Sequence, residues 1–153
     1  MKSISFISNS ELETVKLARS LAPLFTKGDV ILLTGDLGAG KTTFVGGVLK
    51  ELGYNEHVVS PTFNILKCYF DVNPHVYHID AYRLEDANTD IGLEEFIEGD
   101  GITFIEWPCF IKELIPIKHL NINLVRLDDN KREITISTDD EFYKDIFTLL
   151  EKK

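Results

Sequence analysis

The residues with the clearest chemistry lie at 35–42, which read G-D-L-G-A-G-K-T. This segment matches the phosphate-binding pattern G-x-x-x-x-G-K-[ST] at every fixed position. Glycines in such a loop let backbone N–H groups wrap around a phosphate, and the helix that follows adds partial positive charge at its N-terminus. We expect Lys41 to reach the β- and γ-phosphates and the Thr42 hydroxyl to hold Mg²⁺. The segment therefore predicts that the chain binds a nucleoside triphosphate.

Two carboxylates, Asp80 and Glu106, could complete a metal site beside the loop. Each ends an apolar segment that is typical of a strand, at 75–83 and at 102–108. Ligands of an open α/β sheet bind outside the carboxyl ends of its strands, so both acids should approach the phosphates. One could bind Mg²⁺ directly or through water, and one could orient the attacking water. The alternative is that either residue is an ordinary exposed acid at a strand end.

Three further residues carry weaker signals. Thr62 ends an S-P-T sequence after the loop helix, where it could sense the γ-phosphate like a nucleotide switch or merely cap a turn. His78 shares a strand face with Asp80 by the two-residue period, although a single histidine in a strand is more often structural. Trp107 could belong to the core, to a lid or to a partner contact. The residues alone leave these alternatives open.

The elements around the loop are those that a phosphate site requires. Residues 30–33 read V-I-L-L, a buried strand, and apolar residues recur at helical spacing over 43–52. Earlier in the chain, Ser10 and Glu13 form a capping box that opens a helix, and Pro23 should end it near Ala22.

The C-terminal third predicts a β-hairpin and a last helix. Segments 120–127 and 133–138 alternate between apolar and polar residues around a turn, and Asp139 or Asp140 could cap the helix after them. Together with strands near 3–7 and 64–70, this pattern predicts an α/β fold. We expect a single P-loop NTPase domain over 1–153, with a central, largely parallel (mixed) sheet flanked by helices and a C-terminal β-hairpin.

Composition narrows the function. The chain has 153 residues and a formal net charge of −9, which argues against a broad surface for nucleic acid and favours contact through a partner. It contains no signal-peptide core and no apolar run long enough to cross a bilayer, so we expect a cytoplasmic protein without membrane contact. No guanine-reading N-K-x-D occurs, which favours adenine. Residues 84–101 contain no arginine or lysine, which argues against a small-molecule kinase, because such kinases generally have an arginine-bearing lid. A non-catalytic ATP-dependent binding module remains an alternative.

Four sequence blocks then resemble a known family. They are the loop at 35–43, S-P-T-F at 60–63, H-I-D-A-Y-R at 78–83 and I-E-W-P at 105–108. In this order they are similar to the signature blocks of the TsaE (YjeE) family, small bacterial ATPases of tRNA threonylcarbamoyladenosine biosynthesis. The resemblance covers roughly residues 30–110, whereas 84–101 and the tail match poorly.

The resemblance implies a Mg²⁺-dependent P-loop ATPase that is weak when alone. Its partners would be TsaD and TsaB, which modify the adenosine next to the anticodon, so that tRNA is contacted only through the complex. ATP and Mg²⁺ would be the cofactors.

The resemblance also implies roles for individual residues. Thr42 and Glu106 would bind Mg²⁺, with Asp80 close by. Thr62 would belong to a switch and, with Lys41, Asp80 and Glu106, to the catalytic set. Nucleotide contacts would come from Gly38, Ala39, Gly40, Lys41, Thr42, Thr43, Glu11 and Arg132.

Overall fold

A seven-stranded sheet forms the centre of the computed structural model, which describes residues 1–36, 38–61, 64–84, 92–139 and 141–152. In chain order the strands are β1 (Lys2–Ser8), β2 (Val30–Thr34), β3 (Leu66–Tyr69), β4 (Val76–Asp80), β5 (Ile102–Glu106), β6 (Leu120–Arg126) and β7 (Arg132–Thr138). The helices are α1 (Glu11–Leu21), α2 (Lys41–Glu51), α3 (Leu93–Ile97) and α4 (Lys144–Glu151). Short 3₁₀ segments occupy Ala22–Leu24, Tyr82–Leu84 and Pro108–Leu114.

The sheet is mixed, in the order β1-β7-β6-β2-β5-β4-β3. Its central strands β6, β2, β5 and β4 run parallel, whereas β1, β7 and β3 pair antiparallel with their neighbours. The α/β fold class is confirmed, as is the C-terminal hairpin, which is formed by β6 and β7. Because β2 lies between parallel neighbours, its end and the loop that follows lie next to the ends of β5 and β6.

Apolar side chains cover both faces of β2, as its continuous apolar sequence predicts. Ile31 and Leu33 belong to a large core cluster under α1, α2 and α4, whereas Val30 and Leu32 belong to a smaller cluster under α3 and the 3₁₀ segments Tyr82–Leu84 and Pro108–Leu114. Gly47 lets α1 and α2 approach closely, since a Cβ there would lie 2.7 Å from the Ala18 Cβ. Residues 35–42, the phosphate loop, lead into α2, and this helix is therefore tightly held against α1.

Helix α1 begins much as its sequence predicts. The Ser10 hydroxyl accepts a bond from the Glu13 N–H at 3.1 Å. The Glu13 carboxylate accepts in return from the N–H of Asn9, one residue earlier than the capping box predicts.

The prediction that Asp139 or Asp140 caps the last helix is wrong. The N-cap of α4 is Tyr143, and Asp140 itself lies outside the described residues. Glu141 and Tyr143 both adopt positive φ angles, of 72° and 63°, so the chain turns twice before the helix can start. Within the described residues, no helix is long and apolar enough to cross a membrane.

Candidate functional site

The segment between β2 and α2 has the backbone that its glycines predict. Gly35, Gly38 and Gly40 have φ angles of 142°, 81° and 104°, which L side chains rarely adopt. A Cβ on Gly35 would lie only 2.4 Å from the main-chain oxygen of Leu124, so the loop approaches β6 more closely than any side chain would allow. Gly40 then serves as the N-cap of α2. The positive-φ glycines thus lead directly into the N-terminus of α2.

Lys41, the first residue of α2, turns its side chain back into this loop. Its ammonium donates to the Gly35 carbonyl at 2.8 Å and lies 3.6 Å from Glu106 Oε1. The same Nζ is 4.4 Å from the centre of the Trp107 ring. Only 6% of the side chain is exposed, so its charge acts in a poorly screened environment.

Asp80 and Glu106 lie side by side, because the last residues of β4 and β5 pair with each other in register. Both are almost fully buried, at 3% and 4% exposure, which excludes the alternative of exposed strand-end acids. Asp80 Oδ1 accepts from the Tyr82 N–H at 3.0 Å, and Oδ2 lies 3.5 Å from the Ser60 hydroxyl. The two carboxylates are thus fixed next to the loop.

Glu106 has a partner that the sequence does not reveal. The fully buried His78 donates from Nε2 to Glu106 Oε2 at 2.5 Å, while Oε1 faces Lys41. The two residues sit on neighbouring strands, two register positions apart. Among the described residues, His78 Nδ1 is buried without a hydrogen-bond partner. The two-residue period placed His78 with Asp80, but only the strand order brings it to Glu106.

A cavity of about 640 Å³ opens over these groups, a size usual for a small-molecule site. It brings together predicted residues from distant parts of the chain. They are Glu11, Gly38, Gly40, Lys41, Thr42, Thr43, Asp80, Glu106 and Arg132. Ala39 is fully buried in the loop and does not line the cavity, and Thr62 lies outside the described residues.

Further residues line the cavity that the sequence did not single out as ligands. Ser60, Asp129 and Asn130 contribute polar groups, the latter two from the turn of the β6–β7 hairpin. No local pattern marks that turn as part of a site, because only the sheet order brings it to the loop.

Aromatic side chains form one edge of the cavity. The Trp107 ring lies 5.1 Å from Tyr82 and 6.4 Å from Phe110, centre to centre, and is nearly parallel to Phe110. Trp107 itself has a positive φ of 57°, directly after β5. The structure places this tryptophan at the wall of the cavity, beneath the Lys41 ammonium and partly packed against the smaller core cluster.

The donor set fits a magnesium ion bound together with phosphate. Among the described residues there is no group of three or more His, Cys, Asp or Glu side chains that could hold a metal alone. Mg²⁺, however, is usually held by one or two carboxylates, with waters and substrate phosphates completing its shell. Thr42, Asp80 and Glu106 all line the cavity and offer that kind of oxygen.

Comparisons with known proteins show which family and which fold this chain resembles. The model of the family described as "Threonylcarbamoyl adenosine biosynthesis protein TsaE" matches residues 8–134. A Bacillus subtilis tRNA threonylcarbamoyladenosine biosynthesis protein TsaE is 42% identical over 137 residues, covering 90% of this chain and 87% of that protein. The protein of the same name from Rickettsia felis is 43% identical over 135 residues, covering 86% and 78%. A crystal structure of Bacillus subtilis YdiB superposes with a TM-score of 0.84 at 34% identity, covering 99% of this chain and 95% of that one.

Proposed function

This chain belongs to the TsaE family, and we propose that it binds and hydrolyses ATP as a subunit acting with TsaD and TsaB in threonylcarbamoyladenosine modification of tRNA. One observation carries the proposal. The glycine loop, the buried Lys41 and the adjacent buried carboxylates Asp80 and Glu106 all meet in one cavity. These are the parts that phosphoryl chemistry requires from a protein, namely positioning and charge.

The loop supplies the triphosphate site. Backbone N–H groups around Gly38, Ala39 and Gly40 would surround the phosphates, and those of Thr42 and Thr43 lie in the first turn of α2. Lys41 would exchange its bond to the Gly35 carbonyl for phosphate oxygens. Its burial strengthens that attraction relative to water.

The carboxylates supply the metal and water positions. Thr42 and Glu106 would hold Mg²⁺, which when bound neutralises charge on the phosphate oxygens. His78 fixes Glu106 through Oε2 and leaves Oε1 directed toward Lys41 and the loop. Asp80, held through Oδ1 by the Tyr82 N–H, is the candidate for accepting a bond from the attacking water.

Two further residues, Glu11 and Thr62, have proposed roles. Glu11 begins α1 and lines the cavity, where it would contact the nucleoside part of ATP. Thr62 remains a proposed switch residue. Ser60, two positions earlier, lies at the cavity beside Asp80, which supports a role for this segment near the phosphates.

The acidic character of the chain supports contact with tRNA through partners rather than directly. A chain with a net charge of −9 is repelled by the phosphate backbone of tRNA, whereas TsaD and TsaB could hold the tRNA in the complex. A cytoplasmic location, without membrane contact, follows from this proposed role.

Reconstitution with purified TsaD and TsaB from the same organism tests the proposal. ATP turnover and threonylcarbamoyladenosine formation are measured with the wild-type chain and with Lys41→Ala, and the Lys131→Gln protein serves as a surface control. We expect turnover that rises when the partners are added, and loss of both activities in Lys41→Ala alone. Full modification without this chain, or ATP consumption driven by one small acceptor in the absence of partners, would refute it.

A further inference from the structure

Arg132, the first residue of β7, reaches across to the phosphate loop. Its Nε donates to the Ala39 carbonyl at 3.1 Å, and Nη2 donates to the Gly38 carbonyl at 3.0 Å. Both acceptors are neutral main-chain oxygens of the loop itself. The guanidinium therefore binds the same stretch of backbone that would supply amide N–H groups to a phosphate.

The remaining terminal nitrogen holds the hairpin turn. Arg132 Nη1 donates to the Asp128 carbonyl at 2.8 Å and to the Lys131 carbonyl at 3.0 Å, with the Asp129 carbonyl at 3.5 Å. One side chain thus connects the turn between β6 and β7 to the loop between β2 and α2. A guanidinium suits this task, since its donors lie in a rigid plane.

The turn is itself held in shape by a carboxylate. Asp128 Oδ1 accepts from the N–H groups of Asn130 and Lys131, at 2.8 Å and 2.7 Å. These two bonds lower the pKa of Asp128 below its ordinary value. The Leu127 N–H also donates to the Lys131 carbonyl at 2.9 Å, so Arg132 is anchored on a closed turn.

We infer that Arg132 is a positioning residue for the phosphate loop, which it orients by binding the Gly38 and Ala39 carbonyls rather than by contacting the nucleotide. A peptide unit is planar, with its C=O and N–H pointing in opposite directions. Holding the Ala39 carbonyl against Arg132 therefore turns the N–H of Gly40 the other way. This inference rests on the proposed nucleotide binding and assigns Arg132 a different role from the direct contact that the family resemblance implies.

The loop needs such support. Gly38 and Gly40 both have positive φ angles, and glycine has access to many other conformations. Arg132 restricts them before any ligand arrives. The affinity of the site for phosphate then depends on a residue whose guanidinium donates to main-chain carbonyl oxygens of the loop and of the hairpin turn.

The variants Arg132→Gln, Arg132→Lys and Asp128→Ala test the inference. Lys131→Gln is the matched control, because it removes the same charge one residue earlier and Lys131 takes part in the turn through its main chain. Binding of ATP and of ADP is measured by titration calorimetry. Hydrogen exchange at the 38–41 amides is measured without nucleotide, and thermal unfolding identifies any variant that fails to fold.

We expect Arg132→Gln to weaken ATP and ADP binding by a similar factor, about 10- to 100-fold, as for loss of bonds to a charged donor. Its loop amides should exchange faster in the absence of nucleotide. Asp128→Ala should act in the same direction with a smaller effect, and Arg132→Lys should recover part of the loss. Lys131→Gln should match wild type in both measurements.

Two results would overturn the inference. One is exchange at 38–41 that stays unchanged in a folded Arg132→Gln protein. The other is a loss of ATP binding at least tenfold larger than the loss of ADP binding, which would indicate direct contact with the terminal phosphate. Failure of the wild-type protein to bind ATP would count against the proposed function. Because hydrogen exchange is measured without nucleotide, it would still decide the role of Arg132.

Discussion

The close approach of the phosphate loop to β6 makes Gly35→Ala the most informative single substitution. The added Cβ would lie 2.4 Å from the Leu124 carbonyl oxygen, 0.6 Å inside the 3.0 Å that real Cβ contacts respect. The residue also has a φ of 142°. That backbone conformation costs about 1–3 kcal/mol for a residue other than glycine, and relief of the overlap costs about 1–3 kcal/mol more. We expect a loss of about 2–6 kcal/mol in the free energy of unfolding.

Gly53→Ala is the matched control for this substitution. Gly53 has a φ of 101°, but no heavy atom lies within 4 Å of its ideal Cβ. Gly53→Ala should therefore lower the free energy of unfolding only by the conformational cost, about 1–2 kcal/mol. Urea unfolding followed by circular dichroism measures both proteins, and ATP titration should show lost affinity in Gly35→Ala alone. Equal unfolding free energies for the two variants would refute the reasoning, since the loop would then move away from β6 without cost.

Three further predictions use other parts of the site and fold. ATP binding should change the fluorescence of Trp107, the single tryptophan, because Lys41 leaves its ring, and Lys41→Ala should abolish the change. His78→Ala should lower the free energy of urea unfolding by about 1–3 kcal/mol, because Oε2 of the buried Glu106 loses its donor while Lys41 stays beside Oε1, and His78→Gln should cost less. Burial raises the pKa of Asp29 above its ordinary 3.8, so the folded state binds the proton more tightly than the unfolded state. The stabilising contribution of Asp29 should therefore be lost as the pH rises from 3.8 through the folded pKa, and Asp29→Asn should remove this loss. Unfolding free energies from urea that change with pH in the same way for both proteins, from pH 3.5 to 7, would contradict this.

Local patterns were sufficient for the loop and its flanking elements. The apolar run at 30–33, the glycine spacing before Lys41 and the helical spacing after it predict a strand, a turn and a helix within some twenty residues. Asp80 and Glu106 were found for a related reason, because the end of an apolar strand is visible in sequence. Their roles as metal or water ligands remain predictions.

Contacts between distant segments could not be predicted in this way. The pairing of His78 with Glu106 requires knowing that β4 and β5 are neighbours and in which register. The bonds from Arg132 to the loop require the hairpin to lie beside β2, which sequence spacing does not express. The cap of α4 was mistaken because Tyr143 adopts a left-handed conformation that residue preferences disfavour. Tertiary packing decided each of these features.

The position of Lys41 has a consequence for which ligands the site accepts. In the structure its ammonium already has a carbonyl, a carboxylate and an aromatic face as partners. Any anion must compete with these three partners, so its affinity reflects the difference between two states in which Lys41 is well satisfied. A small ion such as chloride or free phosphate would offer little beyond what Lys41 gives up, whereas the proposed triphosphate ligand would add contacts with the loop amides. The internal partners of Lys41 thus weaken the binding of any anion that contacts Lys41 alone. They favour ligands that contact Lys41 and the loop amides together.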